Sequence, residues 1–333
     1  MKFAPMPRAT AGALAGICLL LSAAPAAADQ DANIHKTFNV SSGGRLVISA
    51  DRGAIDVTTG DADKVEVTVL RKVTRGSAGE AAKILADHQV TFQADGNQIT
   101  VKAKFEGSIR PGWFGPNFQV HYEVTVPKNF NLDLQTAGGS INVPDLTGSV
   151  KANTAGGSIK TGRVDGTVNV RTAGGSLTIA AATGAAEAHT AGGSIIVGEA
   201  GASLIAETAG GSIRVGKALG KTKLATSGGS IEALDVHAGI EANTSGGSIT
   251  ASLAGTPAED CRFETSGGSI TLSLPAKTSA NVDARTNGGS VSTDLPVAVQ
   301  GAVKSSELVG KLGDGGHLIK LRTSAGNIRL RQL

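Results

Sequence analysis

The stretch Thr-Ala-Gly-Gly-Ser-Ile at residues 136–141 recurs almost letter for letter to the end of the chain. The copies stand 18 residues apart at first and 21 apart later, and the last copy is degenerate; their threonines are Thr136, Thr154, Thr172, Thr190, Thr208, Thr226, Thr244, Thr265, Thr286 and Thr323. A fixed period of about 20 residues is typical of a solenoid, in which each unit buries its apolar side only against its neighbours.

Apolar and polar residues alternate on both sides of this motif. The residues four and two before each threonine are mostly apolar, and the fifth residue after it is Ile, Leu or Val in every copy. Charged residues such as Lys151, Arg171 and Glu187 lie between them. This period of two predicts two short strands per coil with one face inside. At the Gly-Gly corner between the strands we expect glycine to adopt backbone angles closed to other residues.

These features predict an all-β fold, namely a parallel β-solenoid with 18-residue coils. A weaker apolar position ten residues after the threonine closes each coil. We expect a right-handed coil, because parallel crossovers are right-handed in the great majority of cases. Left-handed hexapeptide helices also use 18 residues per turn, but they place an aliphatic residue inward every six residues, which this spacing does not match.

The first residues have the pattern of an export signal. Lys2 and Arg8 precede an apolar run, and Ala26-Ala27-Ala28 follows Pro25 as a cleavage site. We therefore expect residues 1–28 to be a signal peptide, whose removal would also remove Cys18. Cys261 would then be alone, without an internal disulfide, and it takes an inward position as a small buried hydrophobe.

Composition excludes several classes of function. Without Lys2 and Arg8 the 31 basic residues become 29 against 28 acidic ones, so the net charge is about +1 and nothing points to nucleic acid. The mature chain has no stretch that predicts a transmembrane helix. With 46 glycines and only ten aromatic residues (8 Phe, 1 Trp, 1 Tyr), the interior is expected to be thin and made of Ala, Val, Ile and Thr.

The chain divides at the points where the repeat stops and resumes. Residues 29–57 contain a first degenerate coil with its corner at Asp51-Arg52-Gly53-Ala54. Residues 58–131 break the period and predict a small β-rich N-terminal lobe or cap, with a short helix near 77–88. Ser77 followed by Glu80 gives that helix a capping box. Residues 132–333 carry the solenoid repeats.

The Thr and Ser rows admit a functional and a structural interpretation. They could form a repeating ligand surface, such as one that matches ice or a carbohydrate. We favour the structural interpretation, in which Thr bonds along the stack and Ser caps the corner, because the outward positions are charged and vary from coil to coil. Gly-Gly-Ser is not a phosphate loop, since no Lys-Ser/Thr pair and no helix follow it.

No catalytic, cofactor-binding or metal-ligating residue is predicted. The histidines are scattered over different positions of the chain: His35, His88, His121, His189, His237 and His317. The acids Glu187 and Glu207 fall on outward positions of neighbouring coils, where a solvated face is the favoured interpretation. Some polysaccharide-cleaving β-helices place clustered acids on such a face, so a carbohydrate-active enzyme stays as the alternative.

Trp113 and Phe114 are the sequence's candidates for a specific contact. They stand together in a loop bracketed by Gly and Pro. They could stack on a sugar or a partner, or they could cover the open end of the solenoid. We favour the cover, because an exposed sheet edge is a liability that β proteins manage.

The chain resembles the bacterial putative-adhesin family, an exported β-strand-repeat domain of unknown function. The resemblance covers roughly residues 38–333 and rests on Ile55, Val57, the pair Val126-Pro127 and the repeats. It implies a β-solenoid and a location in the periplasm, on the cell surface or outside the cell. The sequence thus favours a non-catalytic scaffold that presents a long mixed-charge face to an envelope protein or a polysaccharide.

Overall fold

The structure is a computed structural model that describes residues 30–107, 116–299 and 304–333. Within these ranges, the part before the regular repeats forms β1 (Gln30–Asp31), β2 (Ile34–Asn39), β3 (Gly44–Ala50), β4 (Ala54–Gly60), β5 (Lys64–Thr74), α1 (Ala78–Asp87), β6 (His88–Asp95), β7 (Gln98–Phe105) and β8 (Asn117–Pro127).

The repeats form pairs of short strands. In chain order these are β9 (Phe130–Thr136), β10 (Ile141–Val143), β11 (Leu146–Thr147), β12 (Val150–Thr154), β13 (Ile159–Asp165), β14 (Val168–Thr172), β15 (Leu177–Ala182), β16 (Ala186–Thr190), β17 (Ile195–Ala200), β18 (Leu204–Thr208), β19 (Ile213–Ala218), β20 (Thr222–Thr226), β21 (Ile231–Val236), β22 (Ile240–Thr244), β23 (Ile249–Leu253), β24 (Cys261–Thr265), β25 (Ile270–Leu274), β26 (Ala280–Thr286), β27 (Val291–Thr293), β28 (Val297–Val299), β29 (Glu307–Leu312), β30 (Leu318–Thr323) and β31 (Ile328–Gln332).

Two long sheets face each other across one apolar interior. The Thr sheet contains the strands that end at a repeat threonine, and the Ile sheet contains the strands that follow the Gly-Gly corner. Successive coils pair in parallel with an offset of one repeat, as in Val150 with Val168 and Ile159 with Leu177. The predicted all-β parallel solenoid with 18-residue coils is therefore confirmed.

The alternation of the sequence sets the interior. In the coil of Thr172, Val168 and Val170 are buried before the corner, and Leu177, Ile179 and Ala182 are buried after it. The repeat threonines are buried too, each with at most 8% of its surface exposed. Because Thr shares the parity of the apolar positions, its hydroxyl must find a partner inside the stack.

That partner is the main chain of the preceding coil. Thr190 Oγ1 donates to the carbonyl oxygen of Gly175 at 2.8 Å, and the same bond recurs from coil to coil. The serines form a second row, in which the amide of Ser194 donates to Ser176 Oγ at 3.2 Å. The prediction for the threonines is confirmed, and the serines also bond from coil to coil along the stack.

The second glycine of the corner is required by close approach. A Cβ on Gly193 would lie 2.1 Å from the carbonyl oxygen of Gly175, and the equivalent glycines show nearly the same distance. None of the Gly-Gly-Ser glycines has a φ in the left-handed region. The expectation that unusual backbone angles demand glycine here is therefore wrong; the absence of a side chain is what lets the coils stack.

The coils at both ends of the chain are inserted into the stack. Strand β3 lies between β7 and β9, and β4 lies between β8 and β10. At the other end β30 lies between β24 and β26, with Ile319 paired to both Cys261 and Val282. The last repeat in the sequence is thus not the last in space, and neither terminal coil forms an edge of the solenoid.

The segment between the first coil and the regular repeats extends both sheets. Strands β5 and β8 continue the Ile sheet, and the antiparallel hairpin of β6 and β7 continues the Thr sheet. The predicted helix is present as α1, where Ser77 and Glu80 form the capping box. Ala81 and Ile84 of α1 are buried. We call this end of the molecule the cap.

Candidate functional site

The outer surface of the Thr sheet carries a groove of about 940 Å³. It follows the residues that stand immediately before and after the threonines of consecutive coils. In spatial order, the residues before the threonines are His189, Glu207, Ala225, Asn243, Glu264, Arg322 and Arg285. Seven strands spaced about 4.8 Å apart give this outer groove a length of about 30 Å.

Ion pairs within a strand and between neighbouring coils hold the charged side chains of the outer groove. Glu207 contacts Lys223 Nζ at 2.9 Å and His189 Nδ1 at 3.4 Å. The hydrogen bond from Lys223 lowers the pKa of Glu207. Glu264 likewise contacts Arg262 at 2.7 Å and Lys320 at 3.8 Å. Both carboxylates are paired with cationic side chains, an arrangement that suits recognition by charge and hydrogen bonding.

The acids that the enzyme hypothesis would use also have partners. Glu187 accepts from Asn169 at 2.8 Å and from Arg171 at 3.3 Å. Near the junction of cap and coils, Asp133 contacts Arg45 at 2.9 Å and Lys151 at 3.5 Å. Over residues 30–107, 116–299 and 304–333, no group of three or more His, Cys, Asp or Glu is placed to hold a metal ion.

A second concave surface, the cap pocket, lies where the cap meets the first corners. Its volume is about 710 Å³, and its lining comes from two corners and from strands β1, β5 and β8. Arg52 and Gly53 belong to the corner between β3 and β4, Phe118 and His121 to β8, and the Gly138-Gly139 pair to the next corner. Strand β5 adds Arg71, and Asp31 lies on β1.

Buried polar side chains lie close to the cap pocket. His88 is 2% exposed, its two ring nitrogens have no hydrogen-bond partner among the described residues, and its ring meets Phe118 edge-on at 5.3 Å. Burial lowers the pKa of His88 to about 4. Tyr122 is fully buried below Gly53, and burial raises the pKa of its hydroxyl. His88 is therefore neutral at physiological pH.

The structure places the candidates from the sequence as follows. Trp113 and Phe114 lie outside the described residues. Cys261 is buried at 1% exposure, and burial raises the pKa of its thiol. The sequence singled out neither Arg52 nor Arg71. A signal existed for Arg52, because the pairing of Ile55 with Ile141 puts Arg52 in the place of the first corner glycine.

No helix among the described residues combines the length and the apolar character needed to cross a bilayer. A comparison with curated proteins finds no match.

Several solved structures are similar to this chain over most of its length, at low sequence identity. A putative adhesin from Bacteroides fragilis shares 14% identity over 91% of this chain and 97% of its own, with a TM-score of 0.34. A putative adhesin from Parabacteroides merdae shares 9% identity over 90% of this chain and 96% of its own, with a TM-score of 0.38. A putative cell adhesion protein from Clostridium sporogenes shares 11% identity over 91% and 100%, with a TM-score of 0.21.

The family model named Toastrack DUF4097 matches residues 44–331. The matched range begins at the first residue of β3 and ends within β31, so it takes in both inserted end coils as well as the regular repeats. It corresponds closely to the range over which the sequence resembles an exported β-strand-repeat family of unknown function, and the chain therefore belongs to the Toastrack DUF4097 family.

Proposed function

We propose that this protein is a non-catalytic, adhesin-like scaffold of the cell envelope, which presents the outer groove to a polysaccharide or to an envelope protein. Export is part of this proposal, and it is supported by the signal pattern of residues 1–28. The periplasm and the cell surface are both compatible with it. The proposal concerns binding, because the side chains of the outer groove are organised in ion pairs and hydrogen bonds.

The observation that carries the proposal is the contrast between the constant interior and the variable outer groove. Thr, the second Gly and Ser repeat in the coils and bond to one another along the stack. The residues just outside them change from His to Glu, Ala, Asn and Arg over the same distance. A rigid frame that varies only its outward side chains suits recognition of one extended partner.

The experiment uses purified protein on a glycan array and in affinity electrophoresis with the polysaccharides that the array selects. Ala225→Arg would fill the middle of the outer groove without removing a described hydrogen bond, since Ala225 lies between Glu207 and Asn243. The matched control is Thr250→Arg, which adds the same side chain to an exposed position of the Ile sheet. Loss of binding in the first variant only would support the proposal.

Two results would contradict it. Release of reducing ends from a bound polysaccharide would show catalysis and favour the carbohydrate-active alternative. Equal loss of binding in both variants would mean that the outer groove is not the contact surface. If the partner is an envelope protein, the same two variants would be compared in a pull-down with that purified protein.

A further inference from the structure

The cap pocket contains donors that most of the regular coils do not leave free. In the coils from Thr172 to Thr265 the first corner glycine donates its amide to the previous coil, as Gly174 does to the carbonyl of Ala155 at 3.0 Å. The second glycine donates to its own threonine, as Gly175 does to Thr172 at 3.3 Å. For the pair Gly138-Gly139, residues 30–107, 116–299 and 304–333 supply no such partner.

Arg52 brings a guanidinium to the same corner. Its guanidinium carbon lies 4.3 Å from the centre of the Phe105 ring and 5.6 Å from that of Phe118, which fixes its plane by cation–π contact. Its Nε is buried and faces Asp51 Oδ1 at 3.8 Å, but one third of the side chain is exposed and the terminal Nη groups have no hydrogen-bond partner in the described chain. Arg52 therefore has donors to offer to a ligand.

Arg71 supplies the second guanidinium. Its Nε donates to the carbonyl of Ala32 at 2.8 Å, and its Nη1 donates to the carbonyls of Leu85 and His88 at 3.2 and 3.4 Å. These three neutral acceptors position Arg71 and do not cancel its charge. A guanidinium has five N–H donors in all, so the remaining Nη2 can still bind an oxyanion.

The charges around the cap pocket indicate what kind of anion fits. Lys72 stands opposite Asp31 in the pairing of β5 with β1, and Arg52 lies beside Asp51. Three cationic side chains, Arg52, Arg71 and Lys72, and the two carboxylates therefore leave one net positive charge at the cap pocket. One excess charge suits a carboxylate better than a phosphate dianion. The lining also has an apolar part, formed by the half-buried Leu70 and by the small exposed edge of Phe118.

We propose that the cap pocket binds the carboxylate of an acidic sugar, held by the guanidinium groups of Arg52 and Arg71 and by the amides of Gly138 and Gly139, with the sugar ring against the apolar part of the lining around Leu70. Successive amides of a corner form the type of concavity that binds anions. The source can be a free uronic acid or the end of an acidic polysaccharide. This site lies about three coils, or about 14 Å, from the start of the outer groove. The inference does not depend on the function proposed for the outer groove.

The test is isothermal titration calorimetry, in which the full chain is titrated with glucuronate and, as the neutral control, with glucose. We expect saturable binding of glucuronate and none of glucose. Inorganic phosphate is the third titrant, and binding of phosphate as tight as that of glucuronate would overturn the assignment to a carboxylate. An oligogalacturonide distinguishes the two sources, since a polysaccharide end should bind at least as tightly as the free acid.

The variants remove or block the donors without disturbing the stack. Arg52→Gln should weaken glucuronate binding at least tenfold. Gly138→Asp should abolish it, because a Cβ at Gly138 meets nothing within 4 Å and the added carboxylate repels the ligand. Gly192→Asp is the matched control in a distant corner, where we expect unchanged binding. Absence of saturable binding to the unmodified chain, or wild-type binding in Arg52→Gln and Gly138→Asp, would refute the proposal.

Discussion

The two glycines of one corner should differ sharply in their tolerance of a single methyl group. A Cβ added to Gly193 would lie 2.1 Å from the carbonyl oxygen of Gly175, well inside van der Waals contact. A Cβ added to Gly192 would lie 3.5 Å from the carbonyl oxygen of Gly174, an ordinary contact. Neither glycine has a φ in the left-handed region, so backbone strain does not separate the two substitutions.

The magnitude follows from what Gly193→Ala must displace. Overpacking in a close-packed region costs about 1–3 kcal/mol. The coil would also have to move away from its neighbour, which disturbs the bond from Gly193 N to Thr190 Oγ1 and the one from Thr208 Oγ1 to Gly193 O, each contributing about 1 kcal/mol. We expect Gly193→Ala to lower the free energy of unfolding by about 3–5 kcal/mol. We expect Gly192→Ala to change it by less than about 1 kcal/mol, since Ala also restricts the unfolded chain.

Urea denaturation followed by circular dichroism gives the difference between the two variants. Hydrogen exchange adds the location, because a solenoid transmits a local defect mainly to neighbouring coils. Faster exchange in Gly193→Ala should be confined to the coils around Thr190, where the methyl group collides. Equal stability of the two alanine variants would refute the close-approach explanation of the glycine row.

Three further predictions concern the stack, the cysteine and the buried histidine. Deletion of residues 173–190 removes one whole coil and should leave a soluble, cooperatively folded protein. Deletion of residues 173–181 brings the wrong half-coil into register and should not leave such a protein. Similar circular dichroism spectra and solubility for both deletion variants would contradict the solenoid register. Cys261 should react with a thiol reagent in native protein only as fast as the coil opens, so labelling at the rate seen in urea would contradict its burial. Burial holds the pKa of His88 at about 4, below its usual 6.5. The neutral ring therefore contributes stability that is complete above pH 6.5 and is lost as the pH falls toward 4. This loss lowers the free energy of unfolding by up to about 3 kcal/mol. His88→Leu should remove that part of the pH dependence of the urea midpoint, and an equally steep decline in the variant would show that other groups cause it.

The residues of the interior could be predicted because the same sequence pattern recurs in every coil. Alternation places Val168, Val170 and Leu177 inside, and ten aligned copies make the parity of Thr172 plain. The helix α1 was predictable for a local reason, since a capping box depends only on residues three apart. In both cases the deciding contacts are either near in sequence or the same in every coil. The right-handed sense of the coil stays a prediction.

The order of the end coils could not be predicted from the same pattern. The copy at Thr323 follows the copy at Thr286 in the chain, yet in space it lies between the copies of Thr265 and Thr286. Every coil offers nearly the same apolar face, so the period alone does not tell which neighbour a coil selects. Strands β28 and β29, which come between the two copies in the chain, have no equivalent in the other coils and so offer no repeat to compare.

The cap pocket could not be predicted from the sequence for a different reason. The corner Asp51-Arg52-Gly53-Ala54 is visible in the sequence, but its neighbours are not. Arg71 and Phe118 arrive through antiparallel pairing of β5 with β8, which no periodicity announces. The steric reason for the second corner glycine was equally invisible, because a repeated glycine looks the same whether it serves a backbone angle or a close approach.

These observations bear on where a solenoid of this kind can acquire binding sites. In the regular coils, the threonine hydroxyl and the amides of the second glycine and the serine have partners within the stack, so the repeated corner leaves few main-chain donors for a ligand. The inserted first coil differs at the cap, because its corner carries Arg52 in the place of a glycine and Ala50 in the place of the threonine. The amides of Gly138 and Gly139 therefore lie beside an arginine in the cap pocket. Ligand-binding sites should therefore arise at the ends of the solenoid and on its outward side chains, where the sequence departs from the repeat. The repeated hydrogen bonds of the coils keep those surfaces rigid.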